Sequence, residues 1–278
     1  MKRVLFASLL WSSAALLAVE ASYGIRKDHL QKTLGEGVYV DWTAGYISVS
    51  ADHKIEDVRA GGGLTRVRDD ATQKAREKAL SRLMQIVSTL PIHGHDTIES
   101  KLESDESLQN RMGMLASLPF EKARRVGDGS VSVELILPFY GRRGLLSRVY
   151  SGEESEMAEL VHENPEDPIT GIVVDATEAS SDPVLEPRIL TDQGRLIYGP
   201  GIARRGCYIS RGMAAYYTSR EAARKDKRVG ENPYLVYARG RKTPGDLFIS
   251  SQDSVRILGS KSGRDALKKC AVTIVVSK

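Results

Sequence analysis

Hydrophobic and polar positions along the chain follow two periods. Between residues 37 and 50 (GVYVDWTAGYISVS) the apolar residues alternate as Val38, Val40 and Trp42, then Ile47 and Val49. A period of two predicts extended chain, and Gly45 marks a bulge or sharp bend within it. From residue 67 to 90 the period lengthens. Ala71, Ala75, Ala79, Leu83, Ile86, Val87 and Leu90 recur along one face, while Arg68, Lys74, Arg76, Lys78 and Arg82 lie elsewhere on the wheel. This predicts a long helix whose small residues permit close approach to a sheet and which Pro91 ends. A strand over 92–98, a helix over 104–116 and a hairpin of strands 120–126 and 130–139 follow, the last joined by Gly127-Asp128-Gly129. A short helix over 145–150 closes this part.

Beyond residue 168 the pattern reads mostly as strand. Residues 171–176 (GIVVDA) form a buried-type run, and Asp192-Gln193-Gly194 is a hairpin signal between short apolar stretches. Further strands are expected over 235–238, 246–250 and 270–276, with a short helix within 212–225 and others over 251–258 and 263–269. The predicted fold class is α+β. An N-terminal sheet in the order β-α-β-α-β-β, with helices packed on one face, precedes a mostly β second domain.

Charge sets the boundary between them. Residues 151–192 hold twelve acids and one base, and residues 201–245 hold eleven bases and three acids. The densest acidic piece, residues 152–168, carries seven carboxylates and no Lys or Arg. It reads as a solvated linker. The expected division is a domain over 30–150, an acidic linker over 151–168 and a second domain over 169–278. At the start, Met1-Lys2-Arg3 precedes an uncharged stretch to Val19, and Val19-Glu20-Ala21 offers small residues for cleavage. That is the pattern of a secretory signal peptide over 1–21, cleaved on export. The mature chain is expected in the periplasm or at the outer-membrane periphery.

With 41% hydrophobic and 27% charged residues, the chain is neither disordered nor a multi-pass membrane protein. A net charge of +4 does not point to nucleic acid. Cys207 and Cys270 are the only cysteines. In an exported protein they could form one disulfide, the alternative being two buried free thiols.

The Val-Asp-Trp-Thr-x-Gly core of residues 40–45, the helix carrying Asp70-Ala71, Ala75 and Ala79, and the Gly-x-Val-x-Val-x-Leu strand of residues 129–135 are packing motifs. Together they resemble a family of small exported envelope proteins that includes the flagellar outer-membrane lipoprotein FlgP and the N-terminal part of FlgT. The resemblance covers residues 37–141. It implies a non-enzymatic structural or assembly role, with envelope or flagellar proteins as partners. This chain lacks the anchoring cysteine of the lipoprotein members. Residues 174–176, 187–190 and 194–199 resemble a companion module of similar exported proteins, which implies no chemistry.

Candidate chemistry is sparse. His93-Gly94-His95-Asp96 has the residue types of a metal site, but no third ligand stands at a recognisable spacing, and a polar turn is the favoured reading. The acidic run 153–167 lacks a calcium-loop pattern. Cys207 has Arg204 and Arg205 nearby, which favours a thiolate, yet no His follows His162. Gly61-Gly62-Gly63 lacks the Lys and Ser/Thr of a phosphate loop. Dispersed carboxylate catalysts leave no spacing to read.

The basic segment 204–242 is the best binding candidate. Tyr208, Tyr216, Tyr217, Tyr234 and Tyr237 are interleaved there with Arg and Lys. Arg204, Arg205, Arg211, Tyr216 and Tyr217 are its expected contact residues. The expected function is a non-enzymatic envelope protein, flagellum-associated through the resemblance. The alternative is a periplasmic module binding an anionic ligand such as cell-wall polymer through this segment. No cofactor, metal or small-molecule substrate is expected; cell wall, outer membrane or a second copy are the further partners.

Overall fold

The computed structural model describes residues 28–56, 63–127, 129–150, 168–179, 181–239 and 243–277. The signal-peptide segment, the acidic linker 151–167, and Arg241 and Lys242 of the basic segment lie outside the described residues.

The chain is α+β. Its first half is a five-stranded antiparallel sheet built from β1 (Gln31–Gly35), β2 (Val38–Asp41), β3 (Tyr46–Lys54), β6 (Phe120–Gly127) and β7 (Ser130–Pro138), in the order β1-β2-β3-β7-β6. Helix α1 (Leu64–Ser88) lies across one face, burying Val67, Ala71, Ala75, Ala79, Leu83 and Val87. The alanines bring its backbone close to β3 and β7, whose inward residues Ile47, Val49, Val133 and Leu135 are fully buried.

Three local expectations change. The extended stretch over 37–50 folds back on itself at residues 42–45 and forms the β2–β3 hairpin. The strand over 92–98 is a small hairpin of β4 (Pro91–His93) and β5 (Asp96–Thr97). The helix over 104–116 is the shorter α3 (Glu106–Met112), capped by Asp105, and an unexpected α2 (Ile98–Ser104), capped by Thr97, precedes it. β1 had no signal, since Gln-Lys-Thr on a sheet edge buries no apolar side chain.

The second half is β-rich but carries a parallel sheet. β8 (Gly171–Asp175), β11 (Ala215–Tyr217), β12 (Pro233–Tyr237) and β14 (Val272–Val275) pair in the order β11-β14-β8-β12, all parallel. β8 is buried along its whole length, as a strand covered on both faces must be. A smaller sheet joins β9 (Arg188–Thr191), β10 (Leu196–Tyr198) and β13 (Asp246–Ile249). Between them run α5 (Arg205–Arg211), α6 (Arg220–Arg224), α7 (Ser251–Gly259) and α8 (Lys261–Lys268). The short helix expected within 212–225 is the five-residue α6, preceded by β11, and α5 was not expected. α4 (Leu146–Val149) closes the first half.

The halves do not sit apart. One hydrophobic cluster runs from Val49 and Leu83, through Trp42, Phe139 and Tyr216, to Ile172 and Ile274. Backbone hydrogen bonds stitch the seam: Leu185 N to Pro91 O at 3.0 Å, Glu186 N to Ile92 O at 2.8 Å, Gly94 N to Pro244 O at 2.8 Å and Gly141 N to Ile209 O at 2.7 Å. Among the described residues no helix is long and apolar enough to cross a membrane.

Candidate binding cleft at the junction of the two halves

The Asp-Trp-Thr-x-Gly run builds the junction. Asp41 is fully buried at the end of β2. Its Oδ1 accepts the Thr43 and Ala44 backbone N–H groups at 3.0 and 2.7 Å, which fixes the turn. Its Oδ2 accepts from His29 Nδ1 and Gln31 Nε2, both at 2.8 Å. Trp42 then packs edge-on against Phe139 of its own half and Tyr216 of the other, with ring centroids 5.6 and 5.9 Å apart. The Thr43 hydroxyl accepts from Leu30 N and donates to the Tyr216 carbonyl. Gly45 has φ +73°, and a Cβ there would strike the Tyr140 ring; Gly212, across the seam, meets the same ring. The motif is therefore a joint, held by both Asp41 carboxylate oxygens and by the Thr43 hydroxyl.

Beside this joint lies a cleft of about 330 Å³ between β1, the α1–β4 connection and the C-terminal segment 182–184. Trp42, Val40 and Leu90 form its floor; Leu34, Pro91, Pro183 and Pro244 form its walls. Lys32 and Asp182 form an ion pair of 2.6 Å at its rim, both exposed. The volume is at the lower end of small-ligand sites, and the lining is mainly apolar. Such a surface can take an apolar side chain or a short extended segment. Among the described residues it presents no convergent set of acid, base and nucleophile.

The ionisable groups near the cleft face one another instead. His93 Nδ1 lies 3.2 Å from the Glu186 carbonyl and Nε2 lies 3.2 Å from Asp246 Oδ1. Burial, followed by the Arg188 charge, lowers the imidazole below its ordinary value and favours the neutral ring. The Asp246 Oδ2 accepts from Thr243 at 2.7 Å. Tyr208 donates to Glu186 Oε1 at 2.7 Å. Burial raises the Glu186 carboxyl above the usual carboxylate range. No cluster of three or more metal-ligating side chains forms among the described residues, and His93 serves the seam.

Glu186 gives a pH prediction. A carboxyl raised in the folded state contributes stability below its unfolded value that is lost as pH rises through the folded value. Glu186→Gln retains an acceptor for Tyr208 and removes the buried charge. Its melting temperature, followed by circular dichroism from pH 4 to pH 8, is expected to gain on the parent as pH rises. A constant difference across that range would show that Glu186 does not titrate in the seam.

The basic segment is divided by the fold. Tyr216, an expected contact residue, is buried, and its hydroxyl bonds both the N–H and the carbonyl of Val184. Tyr217 is half-buried, donating to Asp226 at 2.8 Å. Tyr208 is buried on Glu186. Arg211 also turns inward: it donates to the carbonyls of Arg228 at 2.8 Å and Cys270 at 3.2 Å, while Arg228 donates to those of Gly212 and Arg211. These two side chains cap carbonyls at the end of α5 and clamp it to β14. They are structural, which corrects the expectation for Tyr216 and Arg211. Arg204 and Arg205 remain exposed, with Arg205 over the Tyr150 ring. Sequence could not separate these cases, because capping of carbonyls by Arg leaves no local pattern.

The expected disulfide is likewise corrected. Cys207 and Cys270 are both free thiols, the first half-buried on α5 and the second fully buried. Burial pushes the Cys270 thiol up to about 11, opposite to what a nucleophile requires.

The parallel sheet that opens at Gly171 is the part of the chain with a known counterpart. Residues 171–278 match the second domain of Treponema pallidum Tp0624. Among curated proteins none matches the chain. The Tp0624-like half begins at the first residue of β8 and includes the basic segment and the 182–184 wall of the cleft. It covers less than half of the chain, and does not reach the residues that carry the flagellar resemblance.

Proposed function

We propose that this protein is an exported bacterial envelope protein with a structural or assembly role, acting by binding rather than catalysis. One observation supports this most: the chemistry-bearing groups at the junction are consumed in the junction, and the cleft left beside them is apolar. Asp41, Glu186, Tyr208 and Tyr216 all bond partners within the fold. Leu34, at the mouth, is half exposed and extends the apolar lining outward. An apolar recess beside an edge strand is a surface for another polypeptide. The resemblance of residues 37–141 makes envelope and flagellar proteins the first partners to test.

A photo-crosslinking residue at position 34, used in intact cells, is expected to trap envelope or flagellar proteins. The same residue at Lys227, exposed and outside the cleft, should not trap them. Adducts at position 34 that contain no envelope protein, or that match those at position 227, would overturn the reading.

A further inference from the structure

The fold gathers cations that the sequence keeps apart. Arg142 and Arg143, exposed, sit in the loop after β7, which is tied to α5 by the 2.7 Å bond from Gly141 N to Ile209 O. Arg204 and Arg205 stand exposed at the start of α5, and Arg205 covers Tyr150 at the end of α4. Arg204 N donates to the Lys268 carbonyl at 2.9 Å, which sets Lys268 and Lys269 against the same end of α5. The three pieces, one from the first half and two from the second, flank a helix only about 10 Å long at 1.5 Å per residue.

Among the described residues this surface carries no counter-ion. Within the basic segment Arg220 is held by Asp175 and Lys225 by Glu221, while Arg211 and Arg228 are turned onto carbonyls. Among the described residues no carboxylate lies within salt-bridge distance of the six named cations, and none of the six has an interaction beyond those described. Six positive charges of like sign, held together by packing, repel one another. That cost persists unless an anion binds there.

We infer that Arg142, Arg143, Arg204, Arg205, Lys268 and Lys269 form a docking surface for a linear polyanion bearing phosphate groups. Four of the six are arginines, whose planar forks bind phosphate oxygens in pairs. No exposed large apolar residue belongs to the surface, which argues against insertion into a bilayer. An acidic polypeptide partner would compete with the chain's own seven carboxylates of residues 152–168, tethered two residues after Tyr150. A phosphate polymer has the higher charge density for that competition.

The test uses the purified full chain and a fluorescent inorganic polyphosphate. Binding is expected, with log affinity falling against log salt at a slope of about −3 to −4, from about 0.7 per neutralised charge. Replacing Arg142, Arg143, Arg204 and Arg205 by Ala is expected to flatten that slope by about 3 and weaken binding by at least about tenfold at low salt. The Lys268→Ala, Lys269→Ala variant should give a smaller loss in the same direction. A control removing three exposed cations elsewhere, Arg224→Ala, Lys225→Ala and Lys227→Ala, should bind as the parent does. The inference is overturned by absence of binding at low salt, or by an equal loss in the control. It is also overturned by tighter binding to polyglutamate or to phosphatidylglycerol vesicles than to polyphosphate. Unfolding transitions that coincide among the variants show that the four arginines act on the ligand and not on the fold.

Discussion

Trp42→Ala is expected to lower stability by about 3–5 kcal/mol and to uncouple the two halves. The indole is 5% exposed and fills the seam between Phe139 and Tyr216. Truncation leaves a cavity in the cluster that spans both halves, and forfeits two edge-to-face contacts worth about 0.5–1.5 kcal/mol each. For a chain of this size the melting temperature should fall by roughly 10 °C, at about 2–4 °C per kcal/mol. Unfolding in urea should be single and coincident by far-UV circular dichroism and by intrinsic tyrosine fluorescence in the parent. In the variant the two probes should separate. A coincident transition with an unchanged midpoint would show that the seam contributes little and that the halves are stable separately.

Asp41→Ala is the second large effect, also about 3–5 kcal/mol, because removing one member of a buried charged network leaves its donors unpaired. Two backbone N–H groups, His29 and Gln31 lose their acceptor together. Asp41→Asn separates the two roles of the side chain. Its remaining oxygen can still accept from Thr43 N and Ala44 N, while its amide nitrogen faces the His29 and Gln31 donors. The expected order of urea midpoints is parent, then Asn, then Ala. An Ala variant as stable as the parent would show that the turn is held by packing alone. Equal loss in both variants would place the whole effect on the tether to residues 29–31.

These two residues show where reading the chain succeeds. The alternation Val38–Val40–Trp42 and the four-residue repeat Ala71–Ala75–Ala79–Leu83 each state a buried face, and those faces are the buried ones. Period and face are local properties, fixed by the geometry of a strand or a helix whatever it packs against. Asp41 and Gly45 were equally visible as a motif. What the motif supports was not, since Tyr140, against Gly45, and Tyr216, bonded by Thr43, lie about 95 and 173 residues further along.

The site divides in the same way. Arg204, Arg205, Arg211 and Tyr216 read alike in sequence, as polar or amphipathic residues in a basic stretch. Burial on Val184 and the carbonyls of Arg228 and Cys270 separates Tyr216 and Arg211 from the two exposed arginines. The cleft is also invisible from one segment, because Lys32 and Leu34, Pro91, and Asp182 and Pro183 come from three parts of the chain. The α+β class, the long helix, the hairpin of β6 and β7 and the uneven charge are legible in the order of residues. That the two halves share one core, that the C-terminal strands run parallel, and which charged side chains face outward emerge when the chain folds. The physical reason is that periodicity records which side of an element is apolar, whereas pairing, docking and ion matching depend on residues that meet only once the chain has closed.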